Sequence, residues 1–561
     1  MLTRLNLLLG HWLATVARRF RNNFYLFLAA LLSVCILLDA GVFHVGENMR
    51  QKAFDFMVRH RVVAPKPDPD IVIVDINEAS LSALAGEYGR WPWPRQVLGE
   101  FLDNIEQQQP KAVVFDILFS DADVYNPDSD AYFNEVIGAT DNTFFPFLRL
   151  AEAHDALSQV KPGMISGVTE LVPGQGDPDA TVAVVLPHFE AMLASGRLGT
   201  HNIYPDADGI VREYRLWHGL AGWKLPSLPL TIAQQLGYAV PNAENVLLNW
   251  RGGPFTYHYV SFSDVHQDMA RKVKQRPQDE FAGKIVIIGS TAPSLFDLKA
   301  TAMAKAHPGV EILATAIDNV KHDDYLHVWR GAAPYVLMSF VIMWLTAAAF
   351  YRNVDRDRFN RVFSSSQAVL IGISYIAINL TNTYIDLTGP VTWAVAYFSI
   401  AKIYALATDR AMQYWLAHEV QPGTAGVHVL LMPLLVEAAE PLGDAVLKKL
   451  RREIETSSEL PLQVSIVKGV QAGIWGLFSD MLLLSWSSAP DNPQEQARAR
   501  QEAERLAHEF DAMRARIGLP ASTLMRHVVH AGTLDSAQPL ASQWRILLAQ
   551  AVLKLEEMLP P

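Results

Sequence analysis

The 561-residue chain has a single cysteine, Cys35. A disulfide within the chain is therefore excluded, and so is a zinc site built from several Cys ligands, which leaves an ordinary apolar core to stabilise any folded domain. Basic residues are also in the minority, because 47 Lys and Arg stand against 58 Asp and Glu, for a net charge of −11. Since nucleic acids bind positively charged surfaces, no nucleic-acid partner is expected.

The sequence also lacks the glycine-rich motifs that hold nucleotide phosphates. The run 284–290 (KIVIIGS) continues into Thr291, but it has neither the lysine and glycine spacing of a phosphate-binding loop nor a GxGxxG motif. The histidines are scattered, with no pair at a convincing ligand spacing. The sequence therefore predicts neither a cofactor nor a metal site.

Long apolar runs are present at four places, and they predict transmembrane helices over 24–43, 333–351, 367–385 and 390–408. Each run approaches the roughly 20 residues that a helix needs to cross a hydrocarbon layer about 30 Å thick. A long stretch of ordinary soluble composition, 44–331, separates the first run from the second. We therefore expect an integral membrane protein with four transmembrane helices in the lipid bilayer.

Basic residues predict the orientation of these helices, because Lys and Arg concentrate in short cytoplasmic loops. They cluster before the first run and between the second and third, at Arg4, Arg18, Arg19, Arg21, Arg352, Arg356, Arg358 and Arg361. Residues 1–23 and 421–561 are then cytoplasmic and 44–331 is extracytoplasmic. The expected location is a bacterial inner membrane, crossed several times with both termini in the cytoplasm.

The first run has an alternative interpretation as a cleaved signal peptide, since basic residues precede it. Its apolar core is too long for that role and no small-x-small cleavage site follows, so a retained anchor is favoured. Asp39 lies near the outer end of this run. Its carboxylate either faces water at the membrane surface or is a functional charge within the membrane.

The extracytoplasmic region alternates strand-like and helix-like segments. The continuous apolar runs 71–76 (IVIVDI), 112–119 (AVVFDILF) and 284–290 suit central strands of a sheet that is covered on both faces. The apolar spacing of 95–108 predicts a helix between two of them. This alternation predicts a mixed α/β domain.

Candidate functional residues lie at the ends of these strands and in a proline-rich segment. The carboxylates Asp75, Asp116 and Asp297 could form a metal or catalytic group, or they could serve as strand-end caps and ion pairs. Pro92 and Pro94 stiffen the WPWP segment, so the indoles of Trp91 and Trp93 would either stack on a ligand or cover the sheet.

Arg95 follows this segment directly, and we expect it to pair with an internal carboxylate.

Several blocks resemble the second class of CHASE domains. They lie in that family's order at 55–59, 71–81, 91–95, 111–119, 206–209 with Arg212, 226–228, 283–291 with Asp297, and 308–312. The WPWPR block and the GKIVIIGST block are the most specific of them. The resemblance covers about residues 50–320 and implies an extracytoplasmic sensor that is followed by three membrane spans and a cytoplasmic signalling domain.

The last region predicts a separate α+β domain over 421–561. Strand-like and helix-like segments alternate at 427–432, 442–454, 463–470, 481–486, 494–516, 524–530 and 544–559, the last being either a helix or a strand. Strand, helix, strand, strand, helix, strand is the ferredoxin-like order. Residues 479–486 and 526–532 resemble blocks of the class III nucleotidyl cyclase domain; an unrelated α+β scaffold is the alternative.

The residues that cyclase chemistry requires are mostly absent. Asp480 matches one of the two carboxylates that hold Mg²⁺, or it is only a turn residue. Pro433 stands where the second carboxylate is expected, and Gly476 replaces the lysine that reads the base. The resemblance places Leu553 and Glu557 where that family has Asn and Arg. The domain is therefore expected to be catalytically silent, with Asp480 as a possible remnant of a metal site.

These expectations combine into a transmembrane receptor that senses an extracytoplasmic stimulus and signals through a silent cyclase-like domain. The resemblance implies a homodimer, a cytoplasmic signalling partner, and an extracytoplasmic ligand or envelope protein, none of which the residues identify. Two alternatives remain open: an active class III cyclase with displaced ligands, and a membrane scaffold that docks an envelope partner.

Overall fold

The computed structural model describes residues 23–43, 46–329, 331–352, 356–419, 426–438, 442, 444–467, 481–536 and 540–558. The chain divides into two compact units. The large unit comprises Asp39–Tyr335 and Ser364–Val391, and the terminal unit comprises Met1–Leu38, Val336–Phe363 and Thr392–Pro561.

Helices and strands alternate through both units. The helices are α1 (Phe24–Leu38), α2 (Glu47–Arg59), α3 (Glu78–Tyr88), α4 (Arg95–Glu106), α5 (Pro127–Gly138), α6 (Glu190–Ala194), α7 (Leu228–Leu236), α8 (Phe262–Ala270), α9 (Gly309–His322), α10 (Ala332–Tyr351), α11 (Arg356–Leu380), α12 (Thr388–Glu419), α13 (Asp444–Ser457), α14 (Pro493–Ile517) and α15 (Leu540–Glu557). The strands of the large unit are β1 (Ile71–Asp75), β2 (Ala112–Phe115), β3 (Thr143–Arg149), β4 (Thr169–Glu170), β5 (Val184–Val185), β6 (Leu198–Thr200), β7 (Glu213–Arg215), β8 (Trp217–Leu220), β9 (Trp223–Pro226), β10 (Asn245–Leu247), β11 (His258–Ser261), β12 (Ile285–Gly289), β13 (Leu298–Lys299), β14 (His307–Pro308), β15 (His327–Trp329) and β16 (Thr383–Ile385). The terminal unit contains β17 (Val427–Glu437), β18 (Gln463–Val467), β19 (Met481–Ser488), β20 (Leu524–His527) and β21 (His530–Leu534).

Three helical segments of the described residues are long and apolar enough to cross a membrane: Phe24–Phe43, Ala333–Tyr351 and Arg358–Leu380. They match the first three predicted spans in position and indicate a membrane protein. The fourth predicted span, 390–408, falls within α12, which is not among these three, and it stays a prediction.

The predicted third span, 367–385, extends five residues past the end of the helix that contains it. The helix starts at Arg356 and ends at Leu380, and Asn382 then adopts a left-handed φ of 50°. The next residues form β16, which pairs in parallel with β15. Apolar composition alone does not distinguish this strand from a last turn of helix, because the pairing partner lies more than fifty residues away.

The core of the large unit is a seven-stranded sheet with the path β11-β1-β12-β2-β3-β5, to which β6 adds by pairing with β3. β11, β1, β12, β2 and β3 run parallel. All residues of β1, β2 and β12 are buried. The prediction of central strands covered on both faces is thereby confirmed.

Each face of this sheet has its own apolar cluster, because successive side chains of a strand point to opposite faces. Ile71, Ile73 and Ile287 pack in one cluster with α7 and α9. Val72 and Val74 pack in the other cluster with α4 and α8. The helix α9 therefore covers the face to which the odd-numbered residues of β1 point.

The terminal unit contains a five-stranded antiparallel sheet with the path β18-β19-β17-β20, and β21 also pairs with β17. Its elements follow the order strand, helix, strand, strand, helix, strand, with the last predicted strand, 524–530, divided into β20 and β21. Pro433 explains this division. It cannot donate to a sheet ladder, and it stands where β17 changes partner from β21 to β20.

Candidate functional site

Two aspartates follow neighbouring strands at the carboxyl edge of the seven-stranded sheet. Asp75 ends β1 and pairs in register with Gly289, the last residue of β12. Asp116 follows β2, and a Cβ atom placed on Gly289 would lie 3.2 Å from the Cβ atom of Asp116. Both side chains are in phase with the residues that α9 covers, so they flank Gly289 on one face of the sheet.

The first turn of α9 packs against this pair. A Cβ on Gly289 would lie 2.6 Å from a methyl carbon of Val310, so only a glycine permits the helix to approach this closely. Asp297 joins from the other side, with its Oδ2 atom 2.1 Å from where a Cβ on Gly309 would be. The glycines at 289 and 309 therefore allow the end of β12, the segment around Asp297 and the first turn of α9 to pack closely together.

Glu311 brings a further carboxylate to this place. It is almost completely buried and accepts hydrogen bonds of 2.7 Å from the backbone N–H groups of Phe255 and Thr256. The Tyr259 hydroxyl donates to it as well, at 3.1 Å. Burial would raise the pKa of Glu311, but His307 and these two amides more than offset burial, so the pKa is lowered. Glu311 is a carboxylate held in its ionised form.

His201, which follows β6, completes the group. Its Nδ1 atom lies 3.7 Å from Oδ1 of Asp116 and has no hydrogen-bond partner among the residues that the structure describes. We name the following residues the carboxyl-edge cluster: Asp75, Asp116, His201, Asp297 and Glu311.

Burial sets the ionisation of this cluster. It raises the pKa of Asp116 to about 7, with a further contribution from the charge of Asp297. It also lowers the pKa of His201 to about 4, with help from Lys299. Both groups are therefore mainly uncharged between these values, and their 3.7 Å contact is not an ion pair at neutral pH. Such perturbed groups at a sheet edge are typical of functional sites.

The remaining aspartates of the cluster have local partners. Asp75 accepts hydrogen bonds from the N–H (2.9 Å) and the hydroxyl (2.6 Å) of Thr291, yet burial still raises its pKa. Asp297 lies 3.6 Å from the ammonium of Lys299, and burial raises its pKa too. The two predicted roles therefore overlap, because these side chains act as local caps and pairs and also converge on one site.

The proline-rich segment has a structural role for one of its indoles. Trp93 is fully buried and packs against Phe262, with ring centroids 5.3 Å apart. Trp91 is only partly buried and meets Trp93 edge to face at 5.0 Å. Of the two indoles, Trp93 covers the sheet, and Trp91 is the one with an accessible surface.

The expected ion pair of Arg95 is wrong. No carboxylate lies within ion-pair distance of it among the described residues, and its guanidinium lies over the ring of Phe119, 5.2 Å from the centroid. Burial lowers the pKa of Arg95, and Asp130, Asp123 and Asp121 oppose this from a greater distance. The aromatic face takes the place of the expected carboxylate.

Asp39 does not face water. Its side chain is buried and accepts hydrogen bonds from the Tyr335 hydroxyl, at 2.8 Å, and from the Gly46 N–H, at 3.0 Å. The prediction that this carboxylate faces water at the membrane surface is therefore wrong.

A buried ion-pair cluster joins α2 to the body of the large unit. Arg212 is 3% exposed and contacts Asp55 at 2.8 Å and both Asp206 and Asp208 at 2.7 Å. Burial would lower the pKa of Arg212, but its bonds to these carboxylates raise it. The block 55–59 and the block 206–209 therefore meet through Arg212 in a structural clamp. The sequence alone did not predict this contact.

One grouping of potential metal ligands occurs elsewhere in the described residues, at Asp68, Asp318 and His322. Asp318 lies 2.6 Å from Arg251, and Asp68 lies 2.6 Å from Lys321. Since both carboxylates already have a cationic partner, we interpret the group as a structural ion-pair network.

An acidic surface groove of about 400 Å³ lies between α4 and α5, lined by Asp103, Glu106, Glu135 and Asp141 together with Tyr132 and three neighbouring residues. It contains none of the predicted site residues and is separate from the carboxyl-edge cluster.

The predicted cyclase positions are only partly described. Asp480 and Gly476 lie outside the described residues. Pro433 is buried in β17, and Leu553 and Glu557 are exposed on α15. Gly532, in the block that resembles the cyclase turn, has a packing role, because a Cβ there would lie 2.3 Å from a methyl carbon of Leu547.

Three helices long and apolar enough to cross a membrane, together with a parallel α/β sheet in the large unit, indicate a membrane protein with a folded α/β domain. A family model described as the CHASE2 domain matches residues 29–350, which is more than half of the chain, and the chain therefore belongs to the CHASE2 domain family. CHASE2 domains are extracellular sensor domains, so the membrane protein has the character of a signal receptor. Comparisons with curated proteins and with solved structures gave no match.

Proposed function

We propose that this protein is a multi-pass receptor of a bacterial inner membrane, with its large unit outside the cytoplasm and both termini inside. The match to the CHASE2 family and the three membrane-length helices support this proposal. The basic residues around the first span and between the second and third support the orientation.

The stimulus acts at the carboxyl-edge cluster. The observation that carries this assignment is the convergence of Asp75, Asp116 and Asp297 around the first turn of α9, on one face of a parallel sheet. Ligands of open α/β sheets bind outside the carboxyl ends of the strands. The cluster contains four carboxyl groups, and Lys299 is the basic side chain that faces them. Because carboxyl groups are in excess, the site favours a cationic or hydrogen-bond-donating ligand and disfavours a phosphate.

The output is a catalytically silent cyclase-like domain in the cytoplasm. The antiparallel sheet and its strand, helix, strand, strand, helix, strand order support a ferredoxin-like fold. Pro433 offers no second metal ligand, and Leu553 and Glu557 offer no cation for a triphosphate. The domain then signals by contact, as a homodimer or with a cytoplasmic partner, when the stimulus shifts the populations of two receptor states.

A ligand screen on the full chain in detergent tests this assignment. Compounds that raise the melting temperature of the wild type are repeated on Asp116→Asn and on a control, Asp103→Asn, whose side chain is exposed on α4. We expect a cationic compound that stabilises the wild type and the control but not Asp116→Asn. Equal stabilisation of all three would place the binding site elsewhere.

The same preparation separates the alternatives. Capture of an envelope protein that persists in Asp116→Asn would favour the scaffold. Formation of cyclic nucleotide from ATP or GTP with Mg²⁺ or Mn²⁺ would show an active cyclase and contradict the silent output domain.

A further inference from the structure

The helix α2 has two apolar faces, only one of which is needed by the core. Phe54, Met57 and Val58 are buried and belong to the cluster that covers one face of the sheet. On the opposite side, Phe56 is 61% exposed and Met49 is 57% exposed. These two residues are seven apart and share one face of the helix.

The segment that follows α2 exposes two more apolar side chains in a fixed conformation. Val62 is 83% exposed and Val63 is 56% exposed. Their backbone N–H groups donate to the Oδ1 atom of Asn379, at 2.9 and 3.0 Å. Because Asn379 lies in the last turn of α11, these valines are held at the end of a membrane-length helix.

Two further exposed apolar residues stand directly at the ends of candidate spans. Leu380, which is 71% exposed, is the last residue of α11. Trp329, which is 54% exposed, ends β15 shortly before the candidate span that begins at Ala333. Met49 likewise follows the first candidate span, which ends at Phe43. We name these six residues the apolar collar: Met49, Phe56, Val62, Val63, Trp329 and Leu380.

The collar has the composition of a surface at the boundary between lipid and water. The headgroup layer adds about 5–8 Å on each side of the hydrocarbon core, which is about one helical turn or a little more. Tryptophan is enriched at this level, and lysine can lay its apolar stem along it, as Lys52 would do between Met49 and Phe56. Single apolar side chains at a surface need no explanation, but a set fixed at the ends of three candidate spans does.

We propose that the apolar collar contacts the bilayer, with its side chains at the headgroup and upper acyl level of the extracytoplasmic leaflet. This inference rests on the proposed membrane placement of the chain. The continuity of the collar with the candidate spans favours lipid as its occupant. The collar would hold the large unit at the membrane surface, through contacts additional to the spans themselves.

Lipid quenching of single-cysteine variants tests this proposal, since replacing Cys35 by serine leaves no other cysteine. Full-length Cys35→Ser protein with Phe56→Cys or Val62→Cys is labelled with a polarity-sensitive fluorophore. It is reconstituted in phosphatidylcholine vesicles without nitroxide, with a lipid that carries a nitroxide near the headgroup, or with a lipid that carries a nitroxide deep in its acyl chain. Leu31→Cys in α1, 61% exposed, is the control for the span, and Val273→Cys, 80% exposed after α8, is the control for water.

We expect fluorophores at positions 56 and 62 to be blue-shifted and quenched by the headgroup nitroxide, position 31 to be quenched by the acyl-chain nitroxide, and position 273 to be quenched by neither. Quenching at 31 alone would overturn the collar and leave the span intact. No quenching at 31 would overturn the membrane placement itself and the collar with it. A blue shift at 56 and 62 without quenching, lost on dilution with lipid, would show that a second copy covers this surface instead.

Discussion

The two sheets of this protein differ in where they keep their charge. The parallel sheet of the large unit ends in buried or half-buried ionisable side chains, among them Asp75, Asp116 and Glu311. The antiparallel sheet of the terminal unit buries apolar side chains, with Leu431, Leu434 and Leu482 fully buried, and keeps the ion pair of Arg526 and Glu437 partly exposed. Burying a carboxyl group costs free energy unless it is paired or protonated, so a fold keeps such groups where they have a use.

The comparison assigns different work to the two regions. The large unit has the chemistry of a binding site, because its carboxyl groups converge where the strands end. In the proposed function, the terminal unit has the buried Pro433 where a cyclase would need a metal ligand, and it signals by contact rather than by catalysis.

The largest effect is expected at the clamp of the large unit. Arg212→Ala would leave Asp55, Asp206 and Asp208 without their shared cation, and we expect the free energy of unfolding to fall by about 3–5 kcal/mol. Denaturant unfolding of the full chain measures the loss. Arg271→Ala is the matched control, because its partner Asp268 is 3.3 Å away and its own side chain is 45% exposed. A loss no larger than that of the control would contradict the clamp.

Asp116 predicts a pH dependence. The unfolded carboxyl group ionises near the ordinary value of 3.8 and the folded one near about 7, so the unfolded state loses its proton first and stability falls as pH rises through this window. Asp116→Asn should therefore be more stable than the wild type at pH 8, by about 2–4 kcal/mol, with the difference vanishing below pH 4. Unfolding curves of both proteins across this range measure it. A constant difference at all pH values would show that burial of Asp116 does not shift its ionisation.

The close approach of Asp297 to α9 predicts a steric coupling. Gly309→Ala would place its Cβ atom against Oδ2 of Asp297, and we expect a loss of about 1–3 kcal/mol. Adding Asp297→Ala should restore much of that loss, whereas Asp103→Ala, on the exposed side of α4, should not. Thermal unfolding of the wild type, the single variants Gly309→Ala and Asp297→Ala, and the double variant gives the coupling; strict additivity would mean that the two residues do not meet as described.

The smallest effect is expected in the terminal unit. Leu553→Asn with Glu557→Arg restores two residue types that a cyclase would use, on an exposed face of α15. We expect the free energy of unfolding to change by less than about 0.5 kcal/mol and no cyclic nucleotide to form before or after the change. Appearance of cyclic nucleotide in the double variant would show that the rest of the site is intact and would weaken the contrast between the two sheets.

The sequence was informative wherever the physical signal is local. Unbroken apolar runs located β1, β2 and β12, and the spacing of apolar residues located α4, because burial on two faces or on one leaves its period in the sequence. The alternation of elements after residue 426 was also visible, down to the hairpin strands β18 and β19. Asp75, Asp116 and Asp297 were identified as strand-end carboxylates for the same reason.

Features that depend on distant segments were missed. His201 follows β6 and lies in none of the blocks that resemble the family, whereas Glu311, on α9, lies in the block 308–312 but was not recognised as a site residue. Arg95 was expected to pair with a carboxylate, but its guanidinium lies over the ring of Phe119. The third span was extended into β16 because an apolar strand that pairs with β15 has the composition of a helix end.

Labelling from one side of the membrane tests whether the large unit lies outside the cytoplasm and the terminal unit inside it. In the Cys35→Ser chain, Val273→Cys reports on the large unit and Arg498→Cys on the terminal unit, and both positions are exposed. Right-side-out spheroplasts are treated with a membrane-impermeant maleimide before and after lysis. We expect position 273 to be labelled in intact spheroplasts and position 498 to be labelled only after lysis. Labelling of 498 but not 273 before lysis would contradict it.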